Sequence, residues 1–580
     1  MDIESLIKTP GSNPAQSFVN SNLNAPRSPS FLKFDLLPFT LLDKVAVDES
    51  NKNVYTDIRT SGNPLFATWL AKIKKRVPTV HLELREIAQI AHLREQGFVQ
   101  KVFDDEGSKL LVRGYGIDLI SNASKYGASD IHIMMRGTHA EVQFEIQSKL
   151  YHFATLFHAE GGAICRAIFQ GIAQTKAAMF EELAYQNAQI SGSEFPPECK
   201  ISSCRIFRGP AYSLGSQLGS FMTIRLQYAA GHQQQEGLPP LFYPQKPAGR
   251  FLLGELGYSQ EQIAKIDRLM NTPSGATIFI GPTGSGKTSS IFAILEELAR
   301  LEPDSRLVCV EDPVENPMPW AVQMVITKSE NDEEVGVEYA KLTRGALRMA
   351  PKKIFLGEIR GPAVGLSVIE AALTGHQLWT TIHATDPFLA IDRLELMDHI
   401  RLNRKRFCDH TIIRGLVAQR LLPKLCSHCK IALIGNESLI SGRQLNVLKT
   451  HGDLDRVFLT NVNGCQACNF TGSEKRFAIA EVVVCDEALM EDFIQKGTAV
   501  ARKNYRARAG SDLPILDQAL QYAFNGLVDP RAIEKAVDLI PMGGDLPNTQ
   551  NPKNNEFKAG ENADTKVISD LGQTLEPGHV

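Results

Sequence analysis

The chain has 580 residues, and at about 150 residues per domain that length predicts three or four domains. Its composition, 43% hydrophobic and 22% charged, is that of an ordinary globular protein and excludes a wholly disordered or fibrous chain. Lys and Arg number 62 against 65 Asp and Glu, and this net charge of −3 gives no support to a general nucleic-acid coat protein, so no nucleic-acid partner is expected. No apolar run reaches the roughly 18 residues of a spanning helix. The start, MDIESLIKTPGSNPAQ, lacks a basic segment followed by an apolar one, so no secretory signal is expected and any membrane role is peripheral.

In chain order, residues 1–30 are rich in Asn, Ser and Pro and read as a flexible N-terminus. Residues 31–105 form an N-terminal region in which VHLELREIAQIAHLREQGF (80–98) reads as one amphipathic helix. Residues 106–230 read as an α+β domain. A helix around Asp118–Lys125 is followed by a strand in EVQFEI (141–146), helical period over 166–185, and strands in SSCRIFRG (202–209) and FMTIRLQY (221–228). The Gln-, Gly- and Pro-rich stretch ending in LPPLFYPQKP reads as a linker, placed at 231–247. Over 248–400, ATIFI (276–280), RLVCV (306–310), KIFLG (353–357) and LWTTI (378–382) alternate with helical stretches. Short continuous apolar runs of this kind predict buried parallel strands and an α/β fold. A cysteine-bearing region (401–500) and C-terminal helices (501–542) follow. DPRAIEKAVDLI (529–540) reads as the last helix, with Asp529 as its cap, and 543–580 as a disordered tail.

GPTGSGKT (281–288) fits G-x-x-x-x-G-K-[ST] between a predicted strand and the helical run SSIFAILEELAR, which is the context a phosphate-binding loop requires. The glycines let backbone N–H groups approach phosphates closely, and the helix N-terminus adds positive potential. Gly281, Thr283, Gly284, Ser285, Gly286, Lys287, Thr288 and Ser289 are therefore the candidate ATP-binding residues. Lys287 is expected at the β- and γ-phosphates and the Thr288 hydroxyl on Mg²⁺. Glu311 and Asp312 follow the strand RLVCV, and Glu358 follows KIFLG. Acids at the carboxyl ends of parallel strands sit where open α/β sheets bind ligands. In TGHQLWTTIHATD (374–386), His376 precedes a strand and reads as structural, whereas His383 follows it and is placed to sense a γ-phosphate.

GPTGSGKT, VEDPVE, GEIR and TGHQLWTTIHATD occur in an order and spacing that resembles the type II secretion and type IV pilus assembly ATPases, where they are the Walker A, Asp, Walker B and His boxes. The likeness covers about residues 116–540 and includes VAQRLLPKLCSHCK (417–430). It implies a RecA-like P-loop domain preceded by a smaller α+β, PAS-like domain, with an inserted zinc-binding subdomain. It also implies a cytoplasmic homo-hexamer working on an inner-membrane platform protein, hence peripheral to that membrane. By position, Glu311 orients or activates water and Glu358 acts on Mg²⁺, while Arg205 and Arg225 match strands whose arginines reach the γ-phosphate. The chain departs from the family at Gln143, Glu145 and Gln147-Ser148, where arginines and a turn Asp-Gly are usual, and at Lys352-Lys353, where an acid is usual.

Ten cysteines are too few for a disulfide framework, but Cys426-x2-Cys429 and Cys465-x2-Cys468 can close a tetrahedral Zn²⁺ site with no position left for water. The other six read as buried apolar residues. A four-cysteine module resembles assembly-type rather than retraction-type ATPases. The expectation is thus a motor for pilus or pseudopilus assembly. Its rivals are a DNA-transfer ATPase of the same superfamily, a retraction motor and a non-hydrolysing scaffold.

Overall fold

The computed structural model describes residues 37, 41–48, 51–95, 109–176, 179–213, 219–249, 253–326 and 332–542. The expected flexible start and disordered tail lie outside these residues.

Three sheets organise the described chain. The first is small: β1 (Val45–Asp48) and β2 (Asn53–Thr56) are antiparallel, and β3 (His81–Leu84) returns parallel to β2 after the helix Pro64–Arg76. Asn63 caps that helix on the Leu65 amide, and Pro64 occupies its first turn, where no N–H is needed. The single helix expected over 80–98 is not formed. Residues 81–84 pair with Asn53–Thr56 in register, and the helix is confined to Ile87–Glu95. Across so short a segment, pairing with a strand already in place outweighs helical period.

The second sheet has seven antiparallel strands in the order β6-β5-β4-β10-β9-β8-β7. They are β4 (Asp130–Met135), β5 (His139–Ile146), β6 (Lys149–Phe157), β7 (Thr175–Lys176), β8 (Gln186–Ser191), β9 (Ile201–Ala211) and β10 (Gly219–Tyr228). Gln147 and Ser148 both take left-handed backbone (φ 51° and 62°) in the two-residue turn between β5 and β6. That geometry favours Asn or Gly, so this turn is made at some local cost. Helical period over 166–185 is only partly realised. A π-helical turn ends at Ile172, and β7 then pairs with β8. One apolar cluster joins this sheet to the first, from Val45 and Trp69 through Leu119 and Phe144 to Ile224. At that junction Arg94 donates to both oxygens of Glu160 (3.0 and 2.9 Å), and both side chains are 3% exposed.

The third sheet runs β13-β12-β14-β15-β11-β16-β19. Its strands are β11 (Gly275–Ile280), β12 (Leu307–Glu311), β13 (Val322–Val325), β14 (Lys353–Leu356), β15 (Gln377–Ile382), β16 (Ile413–Leu425) and β19 (Ser473–Val484). All neighbours are parallel except β19, which is antiparallel to β16. The four runs read as buried strands form β11, β12, β14 and β15. Apolar clusters cover both faces of the sheet, which is why these strands are continuous apolar runs and not alternating ones. A short pair, β17 (Ile431–Ala432) and β18 (Phe458–Leu459), lies between β16 and β19 in sequence. The last helix, Pro530–Ala536, is capped by Asp529 on the Arg531 amide, as expected.

The second sheet meets the edge of the third through backbone. Tyr212 N–H donates to Gln323 O (2.8 Å), Leu150 N–H to Asp304 O (2.9 Å) and Tyr185 Oη–H to Val325 O (2.7 Å).

Breaking the buried Arg94–Glu160 pair strands a carboxylate in an apolar junction. Arg94→Ala is expected to lower unfolding free energy by about 3–5 kcal/mol, read as a drop in denaturant midpoint, while the double variant Arg94→Leu/Glu160→Leu recovers most of it.

Candidate nucleotide site and metal centre

Residues 281–286 leave β11 at its carboxyl end and enter the helix Lys287–Leu301. Gly286 is left-handed (φ 82°), and a Cβ there would stand 2.8 Å from Gln419 Nε2. Only glycine lets the loop lie so close to β16. The Lys287 ammonium donates to the carbonyls of Gly281 (2.8 Å) and Pro282 (3.0 Å), within its own loop. Burial pushes its pKa down, opposed by the charges of Glu358 and Glu315. The Ser285 hydroxyl is buried with no hydrogen-bond partner. Thr288 has no hydrogen bond from its hydroxyl among the described residues, which leaves it free for a ligand.

The sheet brings the expected acids to the same edge. Glu311 ends β12, is 3% exposed, and accepts from Gln323 Nε2 (2.9 Å). Burial pushes its carboxyl up to about 7, against the lowering effect of the Gln323 bond. Glu358 lies two residues beyond β14. Its oxygens meet His383 Nε2 (3.0 Å) and Arg360 Nε (2.9 Å). His383 follows β15, so β14 and β15 hold this pair across adjacent strand ends. His376 instead packs its ring nitrogen on Thr374 Oγ1 (3.0 Å) and Ala371 O (3.2 Å) in the turn before β15.

Arg205 and Arg225 face each other across β9 and β10, and Arg225 Nε binds Asp130 Oδ1 at 2.9 Å. Among the described residues no hydrogen bond or ion pair links either arginine to 281–289. Beside them lies a buried polar group at the junction of the second and third sheets. Arg306 is brought down to about 10 by burial, and Glu145 pushed up to about 7 by burial and the charge of Asp130. His132 sits 3.5 Å from Glu145 and is held neutral by burial and Arg306. The charge of Lys352, just before β14, lowers Glu145 slightly, and Gln143 accepts from Arg306 at 3.5 Å.

The quartet converges as expected. Cys426 Sγ lies 3.8 Å from Cys465 Sγ, Cys465 3.8 Å from Cys468, and Cys429 3.9 Å from Cys468. A tetrahedral ion with metal–sulfur bonds of about 2.3 Å needs sulfur–sulfur edges of about 3.8 Å. The amides of Cys465 and Gly472 both donate to Cys468 Sγ (3.2 Å), which favours thiolate. This donor set fits Zn²⁺. The other six cysteines are buried and unpaired.

Sequence reasoning missed four residues. Gln323 orients Glu311. Tyr258, Gln419 and Arg420 bear on the P-loop, with Tyr258 Oη–H donating to Gln419 Oε1 at 2.6 Å. The signal in the sequence was VAQRL itself, two polar residues inside an otherwise apolar run of β16.

Residues 244–531 match the family model "Type II/IV secretion system protein". The chain is 29% identical over 400 residues to the "Type IV pilus assembly ATPase PilB" of Thermus thermophilus, covering 68% of this chain and 39% of that protein. It is 28% identical over 393 residues to the "Type II secretion system protein HxcR" of Pseudomonas aeruginosa, covering 67% and 70%. The chain thus spans well under half of the Thermus relative. Among solved structures, the ATPase DotB of Legionella pneumophila aligns over 72% of this chain and 94% of its own at 18% identity and a TM-score of 0.34. No helix among the described residues is long and apolar enough to cross a membrane.

Because Glu311 is raised from 4.5 to about 7 by folding, its contribution to stability is complete below pH 4.5 and is lost as pH rises through about 7. Glu311→Gln is expected to leave stability at pH 4 near wild type and to raise it at pH 8. Chemical denaturation at the two pH values reads the difference.

Proposed function

Because residues 244–531 belong to the type II/IV secretion system protein family, we propose that the chain is an ATP-hydrolysing motor driving assembly of a type IV pilus or type II secretion pseudopilus. The observation that carries the reading is the convergence of the P-loop, Glu311, Glu358 and His383 on one edge of the third sheet. In this reading the third domain is RecA-like, the antiparallel domain before it PAS-like, and residues 401–500 an inserted zinc-binding subdomain.

Lys287 gives up its two loop carbonyls for the β- and γ-phosphates, and Ser285 and the loop amides complete the cradle. Thr288 and Glu358 would hold Mg²⁺, which when bound would offset negative charge on the phosphoryl oxygens. Glu311 orients the attacking water. With a carboxyl poised near 7 it is suited to accept a proton at neutral pH. His383, hydrogen-bonded to Glu358, reports the γ-phosphate to the loop that follows β15. Arg205 and Arg225 clamp the γ-phosphate, supplied by the antiparallel domain of the same chain or of a neighbour. Since neither touches the P-loop within the chain, a homo-hexameric ring in which neighbours complete the site is the favoured assembly. Loss of the γ-phosphate then releases the domains. The partner is an inner-membrane platform protein, with the motor cytoplasmic and peripheral to that membrane.

Purified protein is expected to hydrolyse ATP only with Mg²⁺, and to pass from smaller species to a ring of six with a non-hydrolysable analogue, as read by mass measurement. Lys287→Ala should cost about 10²-fold or more in kcat/KM, and Glu358→Gln about 10²-fold in kcat with nucleotide affinity retained. Wild-type-like turnover in both variants sinks the reading.

Metal analysis should return one zinc per chain. Cys465→Ser is expected to lose that zinc and lower the melting temperature while ATP still binds.

A further inference from the structure

β16 runs beyond β11. Their last paired residues are Ile280 and Ala418, so Gln419 and Arg420 lie alongside the P-loop and not within the sheet core. Successive strand residues point to opposite faces, and these two do different things. Gln419 is 1% exposed. Its Oε1 accepts from Tyr258 Oη (2.6 Å) and Ser290 Oγ (2.9 Å), and its Nε2 donates to the carbonyl of Ser285 (2.9 Å). One amide thus ties the centre of the P-loop to the first turn of the helix that follows it. Its backbone carbonyl is 2.6 Å from where a Cβ on Gly281 would stand, so the loop's first residue also rests on this strand.

Arg420 is 5% exposed, and no carboxylate lies within ion-pair distance of it among the described residues. The acid whose charge acts on it, Asp386, is held by Arg502 (3.3 Å) and Arg506 (2.9 Å). Arg420 spends its fork on two carbonyls. Nη1 donates to Gln419 O (2.9 Å) and Nη2 to Thr385 O (2.8 Å). Thr385 is two residues from His383, which binds Glu358. A buried guanidinium satisfied only by carbonyls is a costly way to join two segments. It is repaid if the relative position of the segments matters and if a positive charge near Lys287, which it repels, is useful there.

Building on the ATPase reading above, we propose that Gln419 and Arg420 are positioning residues with divided roles. Gln419 sets the P-loop for nucleotide binding, and Arg420 sets the His383 segment, and through it Glu358, for turnover. Neither is assigned a contact with nucleotide.

The test compares wild type with Gln419→Met, which keeps volume without the amide, and with Arg420→Met and Arg420→Lys. A fluorescent ATP analogue reads Kd, steady-state hydrolysis reads kcat and KM, and thermal unfolding reads stability. For Gln419→Met the expected result is a Kd raised about tenfold, with kcat within about threefold of wild type. For Arg420→Met it is the converse, kcat down about 10²-fold with Kd within about threefold. Arg420→Lys should recover only part of that loss, because an ammonium does not reproduce the planar fork that spans both carbonyls. Equal changes in Kd and kcat in both Met variants, or lower melting temperatures with unchanged constants, would overturn the proposal. Wild-type turnover is measured first. Its absence counts against the ATPase reading, while the Gln419 effect on Kd still decides that half of the proposal by binding alone.

Discussion

The registration of four parallel strands is the constraint on which the site depends. Ile280 pairs with Ile382, Thr380 with Leu356, and Leu356 with Val310. These pairings bring the carboxyl ends of β11, β15, β14 and β12 to one edge, and each strand there releases a polar segment: the P-loop, His383, Glu358 and Glu311. In parallel ladders the strand ends point one way, so a single edge collects groups from distant parts of the chain. A slip of one residue in any pairing would turn that strand's side chains to the opposite face. The dense apolar packing on both faces, including Trp379 and Phe355 at 0 and 1% exposure, is what forbids the slip.

Burial then tunes what registration assembles. Glu311 and Glu145 are both raised to about 7, and both owe it first to burial, but their neighbours differ. Glu311 keeps a neutral amide partner, Gln323, and ends β12 at the same edge as the P-loop. Glu145 is set among Asp130, His132, Arg306 and Lys352 where the second and third sheets meet. The charges of Arg306, Arg225 and Lys352 all act to lower the Glu145 carboxyl, against burial and Asp130, which raise it.

Much of this was legible because the physics is local. A glycine-rich loop between an apolar strand and a helix has few other uses, and paired CxxC knuckles place their own sulfurs. The strands β11, β12, β14 and β15 show as apolar runs because both their faces are covered. β13 does not: Val322–Val325 is four residues long and carries Gln323 at its centre. β3 was hidden in a helical period because its pairing with β2 is a contact 28 residues away. The arginines illustrate the limit best. Arg205 and Arg225 were read by strand position, and that they oppose each other on adjacent strands follows only from the register of β9 and β10. Gln419 and Arg420 escaped for a related reason, since their meaning arises where β16 outruns β11.

β16 also joins the two sites. It leaves the P-loop at Gln419, pairs with β19 as far as Leu425 and Ser473, and delivers Cys426 one residue later. Cys468 lies five residues before β19 begins at Ser473, and the carbonyl of Gly472 accepts from the Cys426 amide at 3.1 Å. The cysteine cluster therefore closes the open end of a two-stranded ribbon whose inner end lies against the nucleotide loop. A ribbon that extends beyond its sheet is only marginally stable on its own, and a metal held by the four sulfurs would cross-link its tip and restrict twisting along its length. With a metal bound, the cluster would steady the strand from which Gln419 and Arg420 reach the P-loop and the His383 segment. That is a physical reason for a four-sulfur cluster to stand at the far end of the strand that backs the P-loop.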